Sequence, residues 1–247
     1  MNPNAIINSD HGPIIINIHD SVIGKHISQY GYWASDDIEI IKQMIDHLLK
    51  YKSTVSFYDV GANIGTHSIA LSKIFQDRIK IRAFEAQRQI YNMMCGSLAI
   101  NGINNVYCHN VAVSDNIGNT IEIALPDYNI LNNFGGFELI NPLRSDNQDM
   151  KKNHHEKIKT VTLDSYNEQV DFIKMDIEGM EDKALAGSLE VLQNSRPMCF
   201  IEILKTNVDY IIDTFSNANY CAYQKAADII LIPNEYSLQI TGLPKIF

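Results

Sequence analysis

The sequence predicts an α/β fold built around a mostly parallel sheet. From residue 53 onward, short apolar runs of strand length alternate with longer segments whose apolar residues recur at helical spacing. Strands separated by helices need crossover connections, and such connections place the strands parallel to one another. A chain of 247 residues, of which 45% are hydrophobic, can bury a sizeable core as a single α/β domain.

The N-terminal part of the chain lacks this alternation. We therefore treat residues 1–50 as an extension that packs on a core domain formed by residues 51–247. Within the extension, an apolar run at 14–18 is typical of a strand. A helix is predicted to begin near Asp36, where Glu39 three residues later resembles a capping box. One face of this helix carries the apolar residues Ile38, Ile41, Ile45, Leu48 and Leu49.

The core domain is predicted to contain eight strands and four helices. The strands are predicted at 55–60, 79–84, 105–113, 119–125, 170–176, 198–204, 220–225 and 228–233. The helices are predicted at 64–76, 87–101, 180–194 and 206–218. A polar stretch at 141–159 interrupts the pattern and is predicted to be a surface loop or a partly ordered flap.

Composition argues against several classes of function. The formal net charge of −9 disfavours nucleic acid, which needs a clustered Lys/Arg surface, and also an anionic membrane surface. The four cysteines form no CxxC pair, and three lie among apolar residues, which favours buried, reduced thiols. The first residues do not resemble a signal peptide, and no window approaches the roughly 18 apolar residues that span a bilayer. We therefore expect a soluble, cytoplasmic protein without a membrane span.

The turn "DVGANIG" that follows the first core strand carries the main functional signal. In an open parallel sheet this turn faces the ligand, and Gly61 and Gly65 let the backbone approach it closely. Asn63 replaces the second glycine of the GxGxxG dinucleotide fingerprint. Asp59 would repel a pyrophosphate but suits a ligand with an ammonium and a sulfonium, which favours S-adenosylmethionine. The alternative is a glycine-containing turn in another kind of α/β protein.

Residues after the next two strands support a nucleoside ligand. Glu85 lies at the end of the second core strand, about 20 residues beyond the glycine turn, where an acid can accept both ribose hydroxyls. On its own, Glu85 would be read as a surface residue. The adenine is expected near the end of the third strand, where Asn110 offers an amide and Val111 and Ala112 offer an apolar surface.

A group of acids lies at the carboxyl ends of the fourth and fifth core strands. Asp176, Glu178 and Glu181 follow an apolar strand, and Glu202 lies in the apolar run "MCFIEIL". Buried acids are costly unless they are paired, hydrogen-bonded or bound to a ligand, so these residues are site candidates. Lys174 can neutralise one of them. Glu181 has an equally good structural explanation, because acids stabilise the first turn of a helix.

Three further features have both a functional and a structural interpretation. His67 could face the cleft, but a core or helix-surface histidine is the favoured interpretation. The glycine- and asparagine-rich segment "LNNFGGFEL" at 131–139 is assigned to acceptor binding, with a plain turn as the alternative. Tyr30, Tyr32 and Trp33 could form an aromatic lid over the ligand or simply pack the N-terminal extension onto the core.

Taken together, these segments resemble the FkbM-type methyltransferases. The matching stretches are "FYDVGANIGTHSIALSK", "RAFEAQ", "NGINNVYCHNVAVSD", "NNFGGFEL", "VTLDSY" and "VDFIKMDIEGMEDKALAG", which occur in this order over residues 25–205. The resemblance implies a Rossmann-like class I methyltransferase fold with a seven-stranded sheet and helices on both faces. It also implies O-methylation of a hydroxyl, typically on a sugar or a secondary metabolite.

The resemblance assigns roles by position. Asp59, Gly61, Asn63 and Gly65 would hold the methionine part of S-adenosylmethionine, Glu85 would hold the ribose, and residues 176–181 would form the acceptor side. The extension at 1–50 would then cover the cofactor site. Two alternatives remain at this point, an NAD-dependent oxidoreductase and a binding protein that kept the fold without catalysis.

The expected reaction is an in-line displacement in which a base or a metal ion activates the acceptor hydroxyl. Asp176 is the first candidate for base or metal ligand, followed by Glu178 and Glu202. Asp176 and Glu202 have a spacing compatible with a shared Mg²⁺, an ion that prefers carboxylate oxygens. No dedicated metal site is otherwise indicated.

Overall fold

The computed structural model describes residues 2–139 and 150–247. Its strands are β1 (Asn4–Ser9), β2 (Gly12–Asn17), β3 (Val55–Val60), β4 (Ile79–Phe84), β5 (Val106–His109), β6 (Ala112–Val113), β7 (Thr120–Pro126), β8 (Met150–Val161), β9 (Phe172–Met175), β10 (Met198–Glu202), β11 (Tyr220–Lys225) and β12 (Asp228–Pro233). Its helices are α1 (Ile23–Tyr30), α2 (Ser35–Leu48), α3 (Thr66–Phe75), α4 (Arg88–Ile100), α5 (Glu181–Ala186), α6 (Leu189–Ser195) and α7 (Val208–Asn217).

A seven-stranded sheet forms the centre of the protein, with the strand order β11-β12-β10-β9-β3-β4-β5. The strands from β10 to β5 pair in parallel, whereas β12 is antiparallel to both of its neighbours. After β3 the chain builds outward through β4 and β5, and it later returns to the other side of β3 to add β9. The crevice between β3 and β9 is therefore the switch point at which ligands bind in open sheets. The predicted mostly parallel sheet is confirmed.

Helices cover both faces of this sheet because neighbouring residues of a strand point to opposite sides. Phe57 packs with α2 and α3 on one face, where its ring stacks on Phe172 at a centroid distance of 5.2 Å. Tyr58, the next residue, packs on the other face with apolar residues of α5, α6 and α7. Among the residues described, no helix is long and apolar enough to cross a membrane.

Two predicted elements are divided in the structure. The strand expected at 105–113 ends at His109 and resumes as the short strand β6. The helix expected at 180–194 is broken at Gly187, where a Cβ would lie 2.1 Å from the carbonyl oxygen of Ser114. The second helix, α6, then begins against the carboxylate of Asp164, which accepts the N–H groups of Glu190 and Val191. Capping by a residue from a distant segment leaves no local sequence signal.

The prediction of a loop over 141–159 is wrong for residues 150–159, which belong to β8. This strand pairs antiparallel with β7 and parallel with β6 in a separate three-stranded sheet. Ile158 and Thr160 are buried while Lys157 and Lys159 are exposed, so the strand has the alternation of a half-buried sheet. The many polar residues on the outer face hid this pattern. The remainder of the predicted loop, 141–149, lies outside the described residues.

The N-terminal extension packs directly against the core domain. The hairpin of β1 and β2 lies on α4, where the N–H of Ile15 donates to Ser97 Oγ at 2.9 Å. Helix α2 places five apolar residues in the same cluster as Phe57. The predicted capping box is absent, because Ala34 precedes the helix in a left-handed conformation and Glu39 accepts a bond from Gln43 instead. All four cysteines are free thiols, two of them buried and two half-buried.

Candidate active site

A pocket opens at the carboxyl ends of β3, β4, β9 and β10. It contains about 1040 Å³ of space, part of which is open to solvent. This is the edge at which an open parallel sheet binds its ligand. Its lining includes the glycine turn, the residues after β4, three acids and residues of 133–139.

The glycine turn crosses the end of β9 at very close range. Gly61 has φ +77°, and a Cβ there would lie 1.8 Å from the carbonyl oxygen of Asp176. Asn63 also has a left-handed backbone, and its N–H donates to Glu85 Oε2 at 3.0 Å. Gly61 and Asn63 line the pocket as predicted, whereas Gly65 precedes α3 and is not part of the pocket lining.

Asp59 lies behind the pocket lining, whereas the sequence suggests that it contacts the ligand. Its side chain has no exposed surface and does not line the pocket. Asp59 accepts a hydrogen bond from Ser68 Oγ at 2.6 Å, and its other oxygen lies 3.8 Å from Lys174 Nζ. Burial raises the pKa of Asp59, and the nearby ammonium opposes that effect. In this position Asp59 fixes the start of α3 and the charge of Lys174, and it has no direct access to a ligand.

Glu85 lies at the predicted position on the pocket lining. Its two carboxylate oxygens accept the N–H groups of Asn63 at 3.0 Å and Gln87 at 2.7 Å, and each oxygen keeps a lone pair for a ligand. Burial raises the pKa of Glu85 to about 7, although both backbone hydrogen bonds favour the charged form. Two neighbouring hydroxyl groups are suitable partners for this carboxylate.

The predicted adenine region is only partly on the pocket surface. Val111 and Ala112 line the pocket together with Phe84, and they give this end an apolar surface. Asn110 does not line the pocket. Its amide Nδ2 instead donates to the carbonyl oxygens of Glu85 at 2.9 Å and Ala86 at 3.0 Å, and so fixes the backbone that carries the Glu85 carboxylate.

Three of the predicted acids come together on the pocket lining, close to the glycine turn. Asp176, Glu178 and Glu202 each offer a carboxylate oxygen, and these oxygens lie within 4.8 Å of one another. Oε2 of Glu202 is buried with no hydrogen-bond partner in the described part of the chain. Burial, together with the charges of the neighbouring acids, raises the pKa of Glu202 to about 9. This group is able to hold a proton or a divalent cation.

Lys174 lies beneath these acids with only 4% of its surface exposed. Its ammonium donates to the carbonyl oxygen of Gly61 at 3.1 Å and lies 3.4 Å from Asp176 Oδ2. Burial alone would lower the pKa of Lys174, but the charges of Asp176 and Asp59 raise it above the ordinary value. Lys174 is therefore a fixed positive charge between two carboxylates.

Glu181 has a structural role. Its carboxylate accepts the N–H groups of Ile177 at 2.8 Å and Gly179 at 3.0 Å, and the side chain is 1% exposed. These bonds hold the turn between β9 and α5 that carries Glu178, which has a left-handed φ of 53°. Burial raises the pKa of Glu181 to about 7.

The segment at 131–139 lines the pocket through Asn133, Gly135, Gly136, Phe137 and Leu139. Three other segments hold it in place. Gln87 Nε2 donates to the carbonyl oxygen of Phe134 at 2.9 Å, and Lys205 Nζ donates to that of Gly136 at 3.3 Å. Asn132 forms a β-bridge with Asp20 of the N-terminal extension.

The N-terminal extension contributes part of the pocket lining through Val22, Ile23 and Trp33. Tyr30 and Tyr32 are exposed and lie outside the pocket, where both rings contact His26. Of the three aromatic residues proposed as a lid, only Trp33 reaches the pocket.

His67 is buried, as expected of a core histidine, and it also lines the pocket. It is the second residue of α3 and 8% exposed. Burial and the charge of Lys174 lower the pKa of His67 to about 3, so the imidazole is neutral at physiological pH. The signal that could have identified it is its place in the first helical turn after the glycine turn, because that turn faces the ligand.

The strand order, the glycine turn after β3 and the acid at the end of β4 define the class I methyltransferase fold, whose members depend on S-adenosylmethionine. The family described as "Methyltransferase FkbM domain" matches residues 59–222, which is more than half of the chain. The chain therefore belongs to the FkbM methyltransferase family. This assignment favours a methyltransferase over the oxidoreductase alternative.

One solved structure agrees with this fold, and a second serves for comparison only. The crystal structure of Methyltransferase FkbM from Methylobacillus flagellatus KT has a TM-score of 0.51 and 17% sequence identity, covering 72% of this chain. Our chain spans only 44% of that protein's chain. The SAM-dependent O-methyltransferase from Thermotoga maritima has a TM-score of 0.49 and 14% identity, over 94% of this chain and 78% of its own. A search of curated protein sequences found no significant match.

Proposed function

We propose that this protein transfers the methyl group of S-adenosylmethionine to a hydroxyl of a sugar, a glycan or a small metabolite. The observation that carries the proposal is the composition of the pocket. Its lining offers a carboxylate for a diol, an apolar surface for a base and further carboxylates for a hydroxyl.

The glycine turn and the residues that follow β4 and β5 fit S-adenosylmethionine. Glu85 would accept the two ribose hydroxyls, while Val111 and Ala112 would contact the adenine. The backbone of Gly61 and Asn63 would lie along the methionine part, where the absence of a side chain at Gly61 leaves the backbone accessible. The negative charge of the acids on the pocket lining favours the sulfonium over a phosphate-bearing cofactor.

Asp176 is the proposed base at the acceptor end. The acceptor oxygen attacks the methyl carbon in line with the sulfur, the carbon–sulfur bond breaks, and S-adenosylhomocysteine leaves with the electron pair. The hydroxyl proton becomes strongly acidic as the new carbon–oxygen bond forms, so a carboxylate is a sufficient base. Holding both reactants in this geometry can supply about 7–11 kcal/mol of the barrier reduction. Glu178 and Glu202 would hold other hydroxyls of the acceptor.

The same three acids form a donor set that suits Mg²⁺, which prefers carboxylate oxygens. A bound ion would polarise the acceptor hydroxyl and offset the repulsion among the carboxylates. Asp176, Glu178 and Glu202 would hold it. The unpartnered oxygen of Glu202 is consistent with such a ligand.

The N-terminal extension at 1–50 is proposed to act as part of the site and not as an independent domain. Trp33, Val22 and Ile23 lie on the pocket lining, and Asp20 is bridged to the segment at 131–139. The extension would thus cover the cofactor and acceptor once they are bound.

The proposal is tested by incubating the protein with labelled S-adenosylmethionine and a panel of sugars, nucleotide sugars and glycans, with EDTA or with added Mg²⁺. We expect label in at least one hydroxyl compound. Asp176→Asn should abolish transfer and retain S-adenosylhomocysteine binding by calorimetry. A protein that binds the cofactor but never transfers label, with or without the metal, would be the non-catalytic binding protein instead.

A further inference from the structure

Helix α1 presents a face that begins at the pocket and leads away from it. Val22, which precedes the helix, is exposed and lines the pocket, and its carbonyl oxygen accepts the N–H of His26 at 2.9 Å. Val22, His26 and Tyr30 recur at a spacing of four residues and therefore lie on one side of the helix. With a rise of about 1.5 Å per residue, this face extends about 12 Å from Val22 to Tyr30.

Four aromatic rings form a connected cluster on this face. The ring of His26 contacts that of Tyr30 at a centroid distance of 4.7 Å, that of Tyr32 at 5.2 Å and that of Trp33 at 5.4 Å. Trp33 lines the pocket, whereas Tyr30 is 60% and Tyr32 is 38% exposed. Together with Val22, these rings form one continuous surface, the aromatic surface, that leads from the pocket to solvent.

The chemistry of the aromatic surface fits a carbohydrate. A contiguous patch of exposed apolar side chains marks an interaction site, and tyrosine combines an apolar ring with a hydroxyl group. A sugar ring has the matching character, because its C–H groups pack against the negative face of an aromatic ring while its hydroxyls form hydrogen bonds. An anionic membrane fits less well, since Lys25 is the only Lys or Arg of α1 and the formal net charge is −9.

The position of the aromatic surface indicates which bound molecule it contacts. S-adenosylmethionine is proposed to lie along the glycine turn and Glu85, inside the pocket. The molecule that extends out of the pocket is then the acceptor. Tyr30 lies about two helical turns from Val22, beyond the reach of a single sugar bound in the pocket.

We propose that the aromatic surface binds the sugar units that adjoin the methylated one, so that the acceptor is an oligosaccharide or the end of a glycan chain. This inference rests on the proposed function and narrows its acceptor class. Tyr30 and Tyr32 are binding residues for the extended acceptor, and they take no part in the transfer of the methyl group.

The test compares monosaccharides with oligosaccharides that carry the same methylated sugar at one end, with labelled S-adenosylmethionine as the donor. For the wild-type protein, KM should be about tenfold lower for the oligosaccharide, the effect of one favourable aromatic contact. The double variant Tyr30→Ala/Tyr32→Ala should raise KM for the oligosaccharide about tenfold, change kcat little, and leave KM for the monosaccharide unchanged. Tyr30→Phe/Tyr32→Phe keeps both rings and should retain most of the preference for the longer acceptor.

Two controls make the outcome specific. Tyr51→Ala replaces a tyrosine that is 69% exposed and outside the pocket lining, and it should leave both KM values unchanged. Binding of S-adenosylhomocysteine to the double alanine variant should equal that of the wild type by calorimetry, because neither tyrosine lines the pocket.

The inference is overturned, while the methyltransferase proposal stands, if the wild-type protein does not prefer the oligosaccharide or if the preference survives in the double alanine variant. An acceptor without sugar units overturns it as well. Loss of binding to phosphatidylglycerol vesicles in that variant, with unchanged KM values, would assign the aromatic surface to a membrane instead. If the wild-type protein transfers label to no hydroxyl compound, the proposed function itself has failed, and the inference fails with it.

Discussion

The ammonium of Lys174 lies 3.8 Å from Oδ1 of Asp59, inside the central sheet. The two residues are direct partners in the register of the parallel strands β3 and β9. Asp59 is fully buried, and this oxygen has no hydrogen-bond partner among the described residues. The ion pair is therefore the main compensation for burying the Asp59 charge, and it links the glycine turn to the acidic end of the pocket.

Removing one partner of this pair should destabilise the fold. Lys174→Met leaves Asp59 as an uncompensated buried carboxyl, and breaking a buried pair in this way costs about 3–5 kcal/mol. Urea unfolding measures the loss in the free energy of unfolding. The double variant Asp59→Asn/Lys174→Met should recover part of it, because neither charge is then left alone. A loss below about 1 kcal/mol in the single variant would show that the pair is not coupled.

Gly61 should not tolerate a side chain. In Gly61→Ala the Cβ would overlap the carbonyl oxygen of Asp176 at a position with φ +77°, so the turn must move away from β9. We expect a loss of about 1–3 kcal/mol in stability and a large loss of S-adenosylhomocysteine affinity. Gly118→Ala is the matched control, because Gly118 also has a positive φ but an added Cβ meets no atom within 4 Å. Equal losses of stability and of S-adenosylhomocysteine affinity in the two variants would contradict the close approach of Gly61 to Asp176.

Cofactor affinity should increase with pH through the titration of Glu85. Burial raises the pKa of Glu85 from 4.5 to about 7, so the carboxylate is formed only as the pH rises through that value. The ionised fraction then rises from about one tenth at pH 6 to about nine tenths at pH 8. Because a carboxylate accepts ribose hydroxyls better than a carboxylic acid does, S-adenosylhomocysteine should bind several-fold more tightly at pH 8.

The variant Glu85→Gln cannot titrate, and calorimetry at both pH values should find its affinity weak and nearly independent of pH. Persistence of the wild-type pH dependence in Glu85→Gln would assign the effect to another group. Asp228, whose pKa burial also raises to about 7, is then the first residue to replace.

Lys205 should influence the acceptor without affecting the cofactor. It forms ion pairs with Glu178 at 2.6 Å and Glu138 at 3.6 Å, and it donates to the carbonyl oxygen of Gly136. Lys205→Met removes these links between the acids and the segment at 131–139. We expect KM for the acceptor to rise several-fold, with unchanged S-adenosylhomocysteine binding. Lys183→Met, which replaces an exposed lysine on α5, should alter neither value.

The order of core strands and helices could be predicted because local periodicity and glycine turns mark them. β3, β4, β9 and β10 match the predicted ranges to within two residues at every end. β8 was missed because its alternation is carried by few apolar residues among many charged ones. The break before α6 depends on Asp164, a capping partner more than 20 residues away, and no local pattern contains that information.

The candidate site was predictable to the level of segments but not of every side chain. Glu85, Gly61 and the three acids lie where strand ends converge, and the sequence identifies strand ends well. The sequence does not reveal which side of a turn a residue faces. Only the structure shows that Asp59 and Asn110 lie behind the pocket lining, whereas His67 and Trp33 are part of it.

The contacts that join the N-terminal extension to the segment at 131–139 connect distant parts of the chain. Ser21 Oγ donates to the carbonyl oxygen of Asn132 at 2.9 Å across 111 residues, and Asn17 Nδ2 donates to that of Tyr128 across the same separation. Long-range contacts of this kind slow folding, because closing the long intervening loop costs conformational entropy. During synthesis the N-terminal extension must wait for residues that follow 111 positions later before this side of the pocket can close.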